Sequence, residues 1–501
     1  MITLPIENKE YLTRQQKIVL GAIFITGLIL RVACLDKQSL WLDEMTSILV
    51  SHAPFTDIIL GRVFDNFTPP LYYALLKIWG YLIPLDETGL RLFSALIDAA
   101  NIFLFWLLSR HLFTPFRCLL VTAAYAFSPF MLYYAQEGRM YSLQVFWVLA
   151  YSLVFLKMLS SKDGVFRWVP LSGIILALGV YTHYYFAFFA IGVNALGMIL
   201  CRRSRAHIAG IILAGLLGLI LFSPWMQFVS TLSRSGGQSF RTFVLLVLPY
   251  TIFRFIVGYA VFPLNLGTKV DYVKEIIRNS PYILAVYSVI ILMLKDAVLS
   301  KEPAGRKMVA SLAWIGLAPA FIAVLISIRS PMLSERYLIV SMPFFILLLF
   351  SYVRLTGSRV VLIMFFSLLA WGNFSYFFSP HFGKAQWRDA ARFVADRAVR
   401  SDLILVDPSY SAVLFKHYLN KSQRGQELLY QVNSAGRVNE SGFPGDLDSY
   451  EKVILVSSGY YIGRGIETEL ARHRNLIDKK IFPLETGIVV STWGKQGGTI
   501  K

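Results

Sequence analysis

Eleven apolar stretches along the first 380 residues, most of them nearly free of charge, decide what this chain can fold into. Crossing a bilayer core takes about 20 mainly apolar residues. Such runs lie near 18–35, 89–109, 118–135, 141–156, 168–181, 185–200, 208–223, 281–294, 308–328, 337–353 and 360–378. Hydrophobic residues make up 56% of the chain and charged ones 16%, against about 45–50% and about 25% in soluble domains. A soluble globular enzyme, a disordered chain and a repeat solenoid are therefore excluded. The fold expected is a polytopic α-helical membrane protein with about eleven spans.

Charge density rises after residue 383. Residues 384–501 hold 30 charged side chains in 118 positions, and the 383 before them hold only 48. This places a membrane domain at 1–383 and a small soluble α/β domain at 384–501. Within the latter, 402–407 and 451–457 look like buried strands, with a helix through Phe415 and Tyr418 between them. The first apolar run is long enough to span and stay, so it is expected to be an anchor rather than a cleaved leader.

The flanks of 168–200 are both basic, so that stretch is expected to cross twice, turning at Thr182-His183-Tyr184. Residues 242–262 carry Arg254 in mid-run, and a charge at the bilayer centre costs about 2.5–3.5 kcal/mol on insertion scales. A helix lying at the outer interface is expected there. The amino terminus is then cytoplasmic, with the soluble domain periplasmic or extracellular. Lys and Arg are roughly threefold denser in the inner loops than in the outer ones, which agrees with that orientation. A plasma (inner) membrane location follows, with membrane lipids as neighbours. The net charge of +18 is thus accounted for without nucleic acid. Cys34, Cys118 and Cys201 form neither a disulfide framework nor a zinc site.

The two long loops, 36–88 and 224–280, both face outward in this topology, and loops of that length are usually functional or disordered. The first opens with Leu40-Trp41-Leu42-Asp43-Glu44. Paired carboxylates there suit a general base or a cation ligand, and equally a cap and first-turn acid for the next helix. Asp65 follows, then Thr68-Pro69-Pro70-Leu71-Tyr72-Tyr73, which starts a helix. Leu71, Leu75, Ile78 and Leu82 share a face of that helix, as expected of one lying on the outer leaflet. Two short outer connections hold Gln136-Glu137-Gly138-Arg139-Met140-Tyr141 and Glu335-Arg336-Tyr337-Leu338, and His183 lies in a third. Acids, cations and aromatics thus gather at one depth on one side. A reaction on a lipid-linked phosphate needs that set: a base for the attacking hydroxyl, cations for the leaving phosphate, and aromatic rings for a sugar. There is no P-loop or dinucleotide fingerprint, and Asp446-Leu447-Asp448 reads as a loop.

Together these motifs resemble the GT-C glycosyltransferases that use polyprenyl-phosphate sugars. The nearest groups are the protein O-mannosyltransferase and lipid A aminoarabinose transferase superfamily and the bacterial RgtA/B/C/D-like branch. The resemblance covers roughly residues 15–380. It implies inverting transfer from a polyprenyl-phosphate-linked sugar to a hydroxyl of an acceptor glycan, lipid or protein. Asp43 is then the base and Glu44 its support, and Arg139, Arg336 and Tyr337 hold the donor phosphate. Trp41, Asp65, Tyr72, Glu137 and His183 are expected to line the substrates. The resemblance implies a transfer that is metal-independent or metal-assisted: no residue is assigned as a metal ligand, and the paired carboxylates fit a base and a divalent cation, Mg or Mn, equally well. Two rivals stand beside this reading. A transporter or lipid flippase is expected to place ionisable groups at mid-membrane depth, and a polymer ligase differs in using a diphosphate donor.

Overall fold

The computed structural model describes residues 12–63, 68–161, 164–228, 244–261, 272–299, 303–328, 333–351, 359–421, 432–434, 447–459, 466–485 and 487–496. Asp65 and Asp446 lie outside them. The chain divides into two compact units, one of Met1–Ala33 with Val50–Phe378 and one of Cys34–Leu49 with Ser379–Lys501.

The first unit is helical. Among the described residues, eight helices are long and apolar enough to cross a membrane, or nine if a bent pair is counted as one span. Each of the eleven expected runs corresponds to helix, and the shortfall has local causes. Tyr185–Leu200 is helical for 16 residues, about 24 Å at the α-helical rise and short of the hydrocarbon core. The 337–353 run begins as a 3-10 turn, Glu335–Ser341, and becomes α-helix only at Met342–Phe350, with a proline in its first turn. The 118–135 run is the bent pair. Pro115–Ala126 and Pro129–Ala135 meet at 52°, because Pro129 has no amide to continue the ladder and Ser128 restarts it by capping Met131 N at 3.2 Å.

A broken helix frees backbone carbonyls that lipid cannot satisfy. Here side chains do so. Arg31 Nη1 donates to the Ala126 carbonyl at 2.9 Å, and Asn373 Nδ2 donates to the Phe127 carbonyl at 2.7 Å. Arg31 lies in Arg14–Val32 and also donates through Nε to Asp98 Oδ2 at 2.7 Å. Asp98 Oδ1 in turn accepts from Asn101 Nδ2 and Tyr125 Oη, each at 3.2 Å. Arg31 and Asp98 are both wholly buried. The Arg31–Asp98 pair thus serves the break in the helix.

Arg254, expected in a helix at the outer interface, has a partner inside the protein. It is buried in Val244–Val257 and pairs through Nη1 with Glu335 Oε1 at 2.5 Å. Its guanidinium lies over the rings of Tyr250 and Tyr259, 4.2 and 4.0 Å from their centroids. A protein counter-ion and two ring faces thus offset the cost of burying this charge.

In the second unit a five-stranded sheet has the order β2-β1-β3-β5-β4, with β1 Leu403–Asp407, β2 Val432–Ser434, β3 Lys452–Ser458, β4 Arg474–Phe482 and β5 Ile488–Lys495. β2, β1 and β3 are parallel, and β5 and β4 add antiparallel. All five residues of β1 are buried, as their apolar run requires of an inner parallel strand. Leu403, Leu405, Val453, Leu455 and Trp493 pack with Ile466 and Leu470 into the core of the unit. The edge strand β4 is mostly exposed and carries Asp478, Lys479 and Lys480, charges that oppose edge-to-edge pairing.

Candidate functional site

Two clusters carry the residues singled out by sequence, one in each unit. The first is organised around the turn that follows Pro129–Ala135. Gln136 caps the end of Arg14–Val32, its Nε2 donating to the carbonyls of Leu30 and Ala33 at 2.8 Å and of Arg31 at 3.2 Å. Gly138 is packed beneath Leu90. A Cβ at Gly138 would lie 2.4 Å from the fully buried Leu90 side chain, too close without a shift. The turn is thereby fixed at both ends, and Arg139 is buried in it. Arg139 Nη1 donates to Tyr73 Oη at 2.9 Å and Nη2 to Thr68 Oγ1 at 3.2 Å, while its carbonyl accepts from Ser94 Oγ at 3.2 Å.

Tyr141 opens the next helix, Tyr141–Ser160, and lies within electrostatic reach of Arg336, Tyr337, Glu137 and Arg139. Four of the residues expected at the donor and substrate sites therefore act electrostatically on one side chain. His183 joins them. It ends Val169–Thr182, its Nδ1 accepts the Tyr185 amide at 3.1 Å, and its ring lies 4.8 Å from that of Tyr337 and 6.5 Å from that of Tyr141. Arg336 and Tyr337 are half-buried, with the guanidinium 5.3 Å from the Tyr337 ring centroid. Tyr72 is placed otherwise. It is fully buried against Tyr73 and Phe93, with its hydroxyl 3.3 Å from Ser94 Oγ. Its neighbour Tyr73, not singled out by sequence, is the one whose hydroxyl meets Arg139.

The second cluster is at the start of Leu42–His52. Asp43 is half-buried in its first turn and Glu44 is wholly buried. Glu44 Oε2 accepts the Trp41 amide at 3.4 Å, the first-turn acid role the local sequence offered as an alternative. Its other oxygen lies 2.8 Å from Lys384 Nζ, and that ammonium is 5.8 Å from the Trp41 ring centroid. Glu485 belongs to the same cluster, in electrostatic reach of Lys384, Asp43 and Glu44, with Oε2 accepting the Ala385 amide at 2.7 Å. Burial pushes the Glu485 carboxyl above the usual carboxylate range, and the like charges of Asp43 and Glu44 act the same way. By surface area the residue is exposed, so the shift belongs to its crowded carboxyl end rather than to a sealed side chain. No sequence signal marked Lys384 or Glu485. Among the described residues, no group of three or more His, Cys, Asp or Glu is arranged to hold a metal ion.

Residues 68–228 match the model of the dolichyl-phosphate-mannose-protein mannosyltransferase family. Over that segment the chain is similar to the GT-C glycosyltransferases. The resemblance read from its motifs holds there, and the mannosyltransferase-like segment contains Tyr73, Glu137, Arg139, Tyr141 and His183. Asp43, Glu44, Arg336 and Tyr337 fall outside it. Among solved structures, the chain is similar to ArnT from Cupriavidus metallidurans bound to undecaprenyl phosphate, at 13% identity and a TM-score of 0.42, covering 96% of this chain and 98% of that one. The Archaeoglobus fulgidus oligosaccharyltransferase in complex with Zn and sulfate matches at 12% identity and 0.43, covering 88% and 68%. The Saccharomyces cerevisiae Pmt1-Pmt2 complex bound to the sugar donor matches at 14% and 0.32, covering 44% and 34%. No curated protein sequence matches the chain significantly.

Proposed function

We propose that the protein is a membrane glycosyltransferase that moves a sugar from a polyprenyl-phosphate donor to an acceptor hydroxyl on the outer face of the plasma (inner) membrane. The observation that carries this reading is the grouping of His183 with Tyr337 and Tyr141, whose ring centroids lie 4.8 and 6.5 Å from its own, with Tyr141 in electrostatic reach of Arg139, Arg336 and Glu137. Glu137, Arg139, Tyr141 and His183 are inside the mannosyltransferase-like segment. The neighbours captured with undecaprenyl phosphate and with a sugar donor support the same class of donor. The acceptor is a lipid, glycan or protein hydroxyl.

In this mechanism the Asp43 carboxylate takes the proton of the acceptor hydroxyl as its oxygen attacks the anomeric carbon. The bond from that carbon to the phosphate oxygen breaks on the opposite face, inverting the configuration. The electron pair leaves with the polyprenyl phosphate, whose growing charge is met by the guanidinium groups of Arg336 and Arg139 and the Tyr337 hydroxyl. Glu44 is held by Lys384 and the Trp41 amide, a poor start for a cation ligand, so no step of the mechanism runs through a metal. The Arg31–Asp98 pair, the mid-span charge a transporter needs to move, is committed to backbone carbonyls and to Tyr125.

The test is release of polyprenyl phosphate from short-chain polyprenyl-phosphate sugars by the purified protein in detergent. Arg336→Gln is expected to raise the donor KM about 10- to 100-fold, the worth of charge-assisted hydrogen bonds of about 1.5–3 kcal/mol. A wild-type protein that neither binds nor turns over any such donor overturns the reading.

A further inference from the structure

The unit that joins Cys34–Leu49 to Ser379–Lys501 has a specific pattern of contacts. Proceeding along the amino-terminal segment, Arg388 Nη2 donates to the Asp36 carbonyl at 2.9 Å and the Lys384 amide to Gln38 Oε1 at 3.3 Å. The Arg388 amide donates to Ser39 Oγ at 3.2 Å. The Leu40 amide donates to Tyr418 Oη at 2.6 Å, across 378 residues of chain. Lys384 Nζ then reaches Glu44 Oε1 at 2.8 Å. Four of the five residues from Asp36 to Leu40, and then Glu44, are thus held by the carboxyl-terminal part.

We infer that the carboxyl-terminal part is a clamp that sets the position of Asp43, and that Lys384 is its central positioning residue. This rests on the reading of Asp43 as the base. Lys384 and Glu44 are both buried, 7% and 0% exposed at the side chain. A buried ion pair of that kind is a poor stabiliser, because desolvating the two charges costs about what their attraction returns. What it does supply is geometry. Glu44 is adjacent to Asp43 in the first turn of the same helix, so fixing its carboxylate fixes the rotation of that turn. At Glu485 the ammonium also acts against the repulsion that the Asp43 and Glu44 carboxylates exert there. The carboxyl-terminal part thereby acquires a function distinct from holding an acceptor.

Two measurements on the full-length protein in detergent test this. The first is hydrogen exchange over residues 36–48, which needs no substrate. Lys384→Met is expected to speed exchange there by at least about tenfold, since a local opening replaces a pinned turn. Tyr418→Phe removes one oxygen, keeps the ring, and is expected to act in the same direction at Leu40. It serves as the milder variant where Lys384→Met does not fold. The second is donor turnover. Lys384→Met is expected to lower kcat about 10- to 100-fold, the scale of a misplacement of about 1 Å, with donor KM within about twofold of wild type. Lys384→Arg is expected to restore most of kcat, which a residue that merely fills space does not require. Unchanged exchange in folded Lys384→Met overturns the clamp. So does a loss expressed in KM alone, or an arginine variant no better than methionine. A wild-type protein inert toward every donor, with exchange responding as expected, overturns instead the transferase reading and leaves the clamp supported.

Discussion

Asp43→Asn is expected to release polyprenyl phosphate at least about 100-fold more slowly than wild type while binding the donor as tightly, since a positioned base contributes about 10²–10⁴-fold. The substitution replaces one carboxylate oxygen by an amide and removes the charge while keeping the size of the side chain. Asn is nearly isosteric with Asp, the residue is half-buried in the first turn of Leu42–His52, and its backbone carbonyl keeps the bond it accepts from Ser47 Oγ at 3.1 Å. Folding is therefore expected to survive, and thermal unfolding in detergent checks that it does. Donor affinity, read by competition with a labelled polyprenyl phosphate, is expected to be unchanged because the phosphate is assigned to other side chains. A folded Asp43→Asn protein with wild-type turnover removes Asp43 from the mechanism. The parallel Glu44→Gln variant separates the two acids: it is expected to weaken the Lys384 contact and to destabilise more than Asp43→Asn does.

Asp98→Ala is expected to destabilise the first unit by about 3–5 kcal/mol, the cost of breaking a buried ion pair from one side. The substitution leaves the Arg31 guanidinium, wholly buried, with only the carbonyls of Gly27 and Ala126 as partners. Asn101 and Tyr125 lose an acceptor at the same stroke. The measurement is the midpoint of thermal unfolding in detergent, with donor binding as a check on the folded fraction. Arg31→Met with Asp98→Leu is expected to recover much of the loss, because removing both charges also removes their desolvation. The remaining deficit is the Ala126 carbonyl left without a donor, about 1–3 kcal/mol. An Asp98→Ala protein as stable as wild type, or a double variant as unstable as the single one, sinks the account of the pair as the fastening of the broken helix.

The membrane helices were legible in sequence because a bilayer sets one length and one polarity for everything that crosses it. What failed to read was pairing across distance. Arg254 looked expensive in mid-run, and only the fold brings Glu335 to it, 81 residues away. Tyr72 and Tyr73 are adjacent and chemically alike. The helix turns one toward Ser94 and the other toward Arg139, and nothing local says which. The parallel strands β1 and β3 announced themselves as apolar runs. Strand β4, Arg474–Phe482, did not, since as an exposed edge it has no buried face to pattern. The acids Asp43 and Glu44 were visible as a motif, and the lysine that anchors one of them was not, because a single lysine after a long apolar chain carries no signature.

The clamp has a consequence for how the protein is made. The segment bearing Asp43 leaves the ribosome well before its partners Lys384, Arg388 and Tyr418, which are translated more than three hundred residues later. At about 5–20 residues per second, that interval is on the order of 20–70 s. Throughout it the nascent chain carries its acids without the cation that orders them. On this reading Asp43 stays unclamped until the carboxyl-terminal part has been made, and the proposed transfer waits for it.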